Sequence, residues 1–599
     1  MRLYWRFGVV AAFFLAIFTL YPQMKLVYLR GSEWNGHYAF NDIDEVAYGS
    51  YLRALIDGRS RKNDPYSGND DKPGEPQPES LFSIQFAAPM SIAVPARVFG
   101  IGAPWAMTFS GLIAGILAAF AVFWLIGRLT GNSWYAMAAS LSVFAFGTLA
   151  AGEGAVGEIL FDGFSYPYFP GFRRYIPALA IPAFFGACGA VWMMLASDKV
   201  EQRRRRLIYG AAATFCFAFT VYSYFYIWTT AAAFLAAVAA VWLVERPEGF
   251  QRDMRSLGIL ALGWIAVLLP YAYLLSNRSH TMDDVQLLVH TRMPDLFRVP
   301  EYISFAVLLI IIAGLALKKI EIKDRRTLFS LALALVPLIV FNQQMLTGRS
   351  LQPIHYQVFI GNYAAMLALM FTLGTIFNAK LAQNRTGWKF ACAALTLAAA
   401  AWGIVECHYT VRVLDEANIE RDKALPLARR LEELAATDGD PHGTTVHSYD
   451  MLLADDLPTV APQNVLWARH QHVFAGLTWE ENKRRYYQYL YFSGVDERGL
   501  DYLLKNDFVS MIALFGWGRH TDRLSSDARP LTFGEIAEEA RRYGEYIAAF
   551  NSQKAAEPLL SYVIVDNRQA TDLSNLDRWY VRDGGEVFGD HTLYRVRLK

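Results

Sequence analysis

Cysteine is scarce in this chain of 599 residues. Cys188, Cys216, Cys392 and Cys407 are the four present, and all lie in or at the edge of apolar segments. That leaves no disulfide framework and no zinc-ligand spacing. Net charge is nearly absent too, at +1, which argues against a nucleic-acid partner. No internal repeat appears, and the last third has neither a glycine-rich phosphate loop nor a Ser/His/Asp arrangement. The first apolar segment is followed by Tyr21-Pro22-Gln23-Met24-Lys25, without a small-x-small cleavage site, and reads as an uncleaved anchor. The long apolar runs are themselves nearly free of charge.

Those runs dominate the chain, of which 54% is apolar. Segments at 7–27, 105–127, 134–151, 175–196, 207–223, 227–244, 257–275, 302–317, 327–345, 360–378 and 390–408 approach the roughly 20 residues that cross a bilayer. The stretch 81–100 is apolar but interrupted by Pro89, Pro95 and Arg97; it reads as an interfacial or re-entrant element, with a full span as the alternative. Without that span, every short loop on one side is basic: Arg128, Lys199 with Arg203 to Arg206, Arg246 with Arg252 and Arg255, Lys318 to Arg326, and Lys380 to Lys389. The positive-inside rule then predicts about eleven transmembrane helices, with the N-terminus cytoplasmic and the C-terminus outside. The expected fold is a polytopic α-helical membrane protein carrying a C-terminal extracytoplasmic α/β domain.

The division falls at 1–409 for the membrane part, with its first outside loop at 28–104, and 410–599 for the soluble part. A charged helix is expected from Asp415 to Ala436, with a kink or break at Pro426. Strands are predicted at 444–448, 562–566 and 593–598. A helix should start after Thr478, with Glu480 and Glu481 in its first turn, and pack its aromatics from Tyr486 to Phe492 into the domain core.

One stretch organises the functional reading. Asn41-Asp42-Ile43-Asp44-Glu45 opens an amphipathic helix in the first outside loop, with Tyr48, Tyr51, Leu52, Leu55 and Ile56 on one face. Asp42 and Glu45 are spaced as a capping box, which leaves Asp44 over; the alternative is that all three acids serve only the helix start. An Asp-Glu pair just after the first transmembrane helix and just before an amphipathic helix resembles the GT-C-type membrane glycosyltransferases, among them the protein O-mannosyltransferases and aminoarabinose transferases. The resemblance covers the first span, this loop and the topology. It implies a GT-C-like membrane domain, a polyprenyl-phosphate-linked sugar donor, and Asp44 with Glu45 as catalytic acids.

The other outside loops supply the remaining candidates. Arg349 and His355 lie among Gln343, Gln344 and Gln352, and with Arg173, Arg174 and Arg292 they are candidates for the donor phosphate, for which Arg is suited. Contact with lipid headgroups is the competing use of these cations. Glu158 and Asp162, four apart, could share a helix face and support a divalent metal, although the loop has no Asp-x-Asp and no cofactor is required by the sequence. The expected activity is transfer of a sugar from a polyprenyl-phosphate carrier to an extracytoplasmic acceptor (glycan, lipid or protein), in what reads as a bacterial inner membrane. The alternatives are a transporter or flippase of lipid-linked glycans, and an O-antigen-ligase-like enzyme. Transporters place charges within their spans; here the polar residues collect outside.

Overall fold

The computed structural model describes residues 3–161, 169, 171–172, 174–196, 203–284, 288–383, 386–516, 519 and 530–599. Among them, nine helices are long and apolar enough to cross a membrane, the first being α1 (Trp5–Arg30) and the last the rod that begins at Thr386. Two further expected spans take other forms. Residues 134–151 form two buried helices, Ser133–Ala145 and Gly147–Ala151, and Arg203–Val221 is helical but opens on four arginines. The stretch 81–100 folds as a short turn, Leu81–Ile84, and a helix, Ala87–Phe99. Thirteen residues rise about 20 Å, short of the about 30 Å hydrocarbon core.

Lipid offers helices no hydrophobic gain over one another, so close backbone approach and side-chain interlock hold a bundle together. A Cβ at Gly403 would lie 2.2 Å from the Phe18 ring, so only glycine lets the last spanning helix meet α1 there. Deeper in the bundle, Trp192 meets Phe329 and Phe371 edge to face, as Phe234 meets Phe329, and Phe329 lies tilted on Phe371.

The bundle has two distinct ends. At one, Arg325 joins three basic loops: it donates to the carbonyls of Leu195 and Glu248 and pairs with Asp253 at 2.9 Å. At the other end the long loops meet one another. Glu79 exchanges backbone hydrogen bonds with Asn277 and Ser279, Asp44 pairs with Arg174, and strands β1 (Leu288–His290) and β2 (Arg349–Leu351) form an antiparallel ladder. The three basic loops that Arg325 ties together therefore share one end.

The soluble part sits on that second end. Strands β3 (Thr445–Ser448), β4 (Asn464–Val465), β5 (Leu560–Asp566), β6 (Tyr580–Arg582), β7 (Glu586–Phe588) and β8 (His591–Leu598) form a mixed sheet in the order β4-β3-β5-β8-β6, with β7 also on β8. β3 runs parallel to β4 and β5, and β8 antiparallel to β5. Helix Trp479–Phe492 starts at a closed Thr478/Glu481 capping box and buries Tyr486, Tyr489, Tyr491 and Phe492 in the domain core.

Helix Asp415–Asp438 runs through Pro426 without a break. Proline removes the hydrogen bond to the carbonyl four residues earlier, which is that of Asp422. Here that carbonyl accepts from the Asn35 side chain at 2.8 Å, so the helix continues. The same residue locks the first loop through its carboxylate, which accepts from Arg30 Nε at 2.8 Å and from the backbone amides of Asn35 and His37 at 3.1 Å. His37 Nε2 then meets Asp456 at 2.7 Å, and Asn418 exchanges two hydrogen bonds with the Phe40 backbone.

One core residue is out of keeping with its surroundings. His447 on β3 lies among Tyr449, Tyr489 and Phe492, and both its ring nitrogens are buried without a hydrogen-bond partner among the described residues. Burial lowers its pKa to about 3. The folded state holds it neutral while the unfolded chain protonates near pH 6.5, so its share of stability is complete above that pH and is lost as pH falls toward 3. The penalty should reach about 2 kcal/mol at pH 5. His447→Leu is expected to melt with less acid sensitivity than the parent between pH 7.5 and 5, read as the difference between the two proteins' thermal midpoints in detergent. An unchanged difference across that range would contradict this.

Candidate functional site

Helix α2 (Glu45–Ile56) brings the first-loop acids to the meeting point of the loops. The expected capping box does not close. Glu45 is fully buried and its Oε2 accepts from the backbone of Asn41 at 3.0 Å, one residue earlier than a box requires. Asp42 Oδ1 accepts from the Asp44 amide at 3.4 Å. Asp44 is the N-cap residue, yet its side chain makes no capping bond. It turns to Arg174, with Oδ1 2.8 Å from Nη1, and keeps 40% side-chain exposure.

Arg174 is the most constrained group in the site. It is 1% exposed, its Nε donates to the Ile176 carbonyl at 2.5 Å, and its guanidinium lies 3.8 Å from the centre of the Tyr48 ring. Burial works against its charge, but Asp44, Tyr48 and Tyr224 more than offset that and raise its pKa well above the ordinary value. Tyr48 is in turn fixed by Tyr175, whose hydroxyl donates to the Tyr48 carbonyl at 3.0 Å.

Backbone conformation singles out the same place. Four non-glycine residues have positive φ among the described residues: Arg174 (φ 48), Arg246 (φ 46), Lys318 (φ 52) and Gln352 (φ 33). Arg246 and Lys318 stand where helices end, a usual use of left-handed backbone. Arg174 and Gln352 do not end long helices; they belong to this cluster. Such conformations cost on the order of 1–3 kcal/mol and persist where surrounding structure over-determines them, commonly at functional sites.

Gln352 and His355 complete the cluster. Gln352 Oε1 accepts from the Tyr226 hydroxyl at 3.1 Å. His355 Nδ1 meets the Tyr224 hydroxyl at 3.3 Å, and its ring packs 4.8 Å from that of Tyr226. The site thus combines a half-exposed carboxylate, a buried counter-cation, three phenols and an imidazole, drawn from four separate loops. It can accept a proton at Asp44, while the Tyr226 O–H is already given to Gln352.

The other sequence candidates lie elsewhere. Arg349 is exposed on β2 opposite His290. Arg292 is exposed and donates to the carbonyls of Met345 and Leu346. Gln343 braces that turn, donating to the Arg349 carbonyl and accepting from Thr347. These three form a rim around the β1–β2 ladder. Glu158 pairs with Arg412, and Asp162 and Arg173 lie outside the described residues. Sequence reasoning passed over Tyr224 and Tyr226. Their signal was an aromatic Tyr222-Ser223-Tyr224-Phe225-Tyr226 run at the short turn between two expected spans, which an interfacial aromatic belt equally explains.

Among the described residues, Asp450, Asp566 and His591 bring one ligand atom each within 4.8 Å, a set that could hold a metal ion. The set is already well served. Arg568 donates to both Asp566 oxygens, and Asp450 caps the helix at Met451 through the amides of Leu452 and Leu453. Asp44 itself faces the Arg174 guanidinium.

No family model matches the chain, and no curated protein sequence matches it. Solved structures do resemble it in layout. ArnT from Cupriavidus metallidurans bound to undecaprenyl phosphate is 11% identical, over 76% of this chain and 87% of that one, with a TM-score of 0.46. The apo state of the same protein gives 13%, 79%, 90% and 0.48. The archaeal oligosaccharyltransferase AglB from Archaeoglobus fulgidus, in complex with an inhibitory peptide and a dolichol-phosphate, gives 12%, 97%, 72% and 0.44. Likeness at this level assigns no activity.

Proposed function

We propose that the chain is an integral-membrane glycosyltransferase that moves a sugar from a polyprenyl-phosphate carrier to an extracytoplasmic acceptor. The observation that carries the reading is the Asp44–Arg174 pair. A carboxylate remains half-exposed at the membrane-end junction of the loops because a buried, strained arginine holds it there. The position of Asp44-Glu45, after the first spanning helix and before an amphipathic one, supports the same reading.

Asp44 takes the proton of the acceptor hydroxyl or amide as a new bond forms to the anomeric carbon. The bond from that carbon to the phosphate oxygen breaks, and the carrier leaves with the bonding pair as its phosphate. Arg174 supplies the counter-charge of Asp44 and fixes its direction; at 1% exposure it acts on the carboxylate. His355, with Tyr224 and Tyr226 beside it, is placed to hydrogen-bond the departing phosphate, where charge develops. Arg292 and Arg349, on the exposed rim, meet the carrier as it arrives from the bilayer. Glu45 supports the helix start and does not reach the substrate. The first-loop acids do not fit a divalent ion, since Asp44 faces a guanidinium and Glu45 and Asp42 are turned to backbone amides, so the transfer is written through side chains alone.

We read the opposite, basic end of the bundle as cytoplasmic by the positive-inside rule, and the site and the C-terminal domain as outside, across a bacterial inner membrane. A reporter active only outside, fused after Lys599, should be active, and a cytoplasm-only reporter silent. The reverse pattern would reject this sidedness. For the chemistry, Asp44→Asn keeps shape but not charge. Loss of a catalytic base costs on the order of 10²–10⁴-fold in rate, whereas Asp42→Asn should retain most activity. The assay is transfer from a polyprenyl-phosphate sugar by purified enzyme, with thermal melting of each variant as the folding control. Full activity in Asp44→Asn would remove the catalytic assignment.

A further inference from the structure

Helix α2 packs against helix Ala87–Phe99 and the spanning helix Ala103–Thr130 of the membrane part, and also against residues 451–459 of the C-terminal domain. Phe474, 1% exposed, projects from that domain into a hole in the first loop. Its ring stacks on Phe82 at 4.5 Å and 17°, and lies 5.7 Å from Tyr66 and 6.2 Å from Tyr51. Phe82 in turn packs 4.8 Å from Tyr48. Tyr48 lies under the Arg174 guanidinium, and Arg174 holds Asp44. An unbroken line of packed rings therefore runs from the soluble domain to the carboxylate.

The base of this line is rigid. Phe474 follows the turn Gln471–Val473. The His470 amide and ring nitrogen both bond Asp455, at 3.1 and 2.6 Å. Gln471 accepts from the Ala468 amide and donates to Asn482 at 2.9 Å. The hole is equally well held: the Tyr66 carbonyl accepts from the Val465 amide at 2.9 Å, its hydroxyl donates to the Asp455 carbonyl, and the Tyr51 hydroxyl donates to the Arg61 carbonyl. Protein interiors are close-packed and transmit strain, and a misplacement of about 1 Å at a reacting group costs on the order of 10²-fold in rate.

We propose that Phe474 is a positioning residue for the transfer reaction: through Phe82 and Tyr48 it sets where Arg174 holds Asp44, so the C-terminal domain forms the back wall of the active site. This rests on the glycosyltransferase reading for its kinetic arm only. The test uses full-length enzyme with Phe474→Ala and the ring-retaining Phe474→Tyr, and pairs kinetics with amide hydrogen exchange. In Phe474→Ala, exchange should rise across residues 45–56 and 174–176 while protection of β3, β5 and β8 stays at the parental level. kcat should fall on the order of 10²-fold with the donor KM within about threefold, a margin near 0.7 kcal/mol. Phe474→Tyr should restore both readouts. Unchanged exchange at 45–56, equal loss of protection across the sheet, or a defect confined to KM would each overturn the proposal. If the parent transfers no sugar, the glycosyltransferase reading fails, and the exchange pattern alone still decides whether Phe474 positions the helix.

Discussion

A buried guanidinium cannot stand alone. Arg174 is withdrawn from water, and the cost of doing so is met only by a carboxylate, an aromatic face and a backbone carbonyl arranged around it. Those three partners come from the first-loop helix, from the same helix one turn on, and from the residues just after Arg174 itself. Because the charge must be satisfied, the first and second long loops are tied together at this point, and the left-handed backbone at Arg174 is tolerated. Asp44 is consequently a directed carboxylate, which a simple helix cap would not be.

The same rule of polar satisfaction shapes the junction between membrane part and soluble domain. Asp422 answers three donors from the first loop with its carboxylate, and its carbonyl, released by Pro426, answers a fourth. A helix-breaking residue thus becomes a docking point. The 3-10 turn Arg412–Leu414 joins the last spanning helix to Asp415–Asp438, so the expected division near 409 falls within an almost continuous rod. The two parts share a wall along the first loop.

Charge placement follows from the bilayer. The short basic loops tied by Arg325 gather at one end of the bundle, where it binds carbonyls and Asp253. The phenols, imidazole and first-loop acid collect at the other. The proposed transfer from a membrane-anchored carrier needs polar groups at the end of the bundle, and that is where Asp44, Tyr224, Tyr226 and His355 meet.

Much of this was legible in the residues themselves. Hydrophobic run length located the spanning helices, because the bilayer sets a length that sequence must match. Turn and capping chemistry located the helix after Thr478, and short apolar or alternating runs located β3, β5 and β8, because these signals are local. Asp44 stood out by being one acid too many for a cap. What local signals do not carry is the partner across space. That Glu45 turns to Asn41, that Pro426 leaves its helix intact, that Arg174 serves Asp44 while Arg349 stays on the rim, and that Tyr224 and Tyr226 join His355 were decided only by tertiary packing. The reason is physical: a buried polar group takes whichever partner the packed loops bring within hydrogen-bond reach, and contacts between residues more than a hundred positions apart leave no periodicity in the chain.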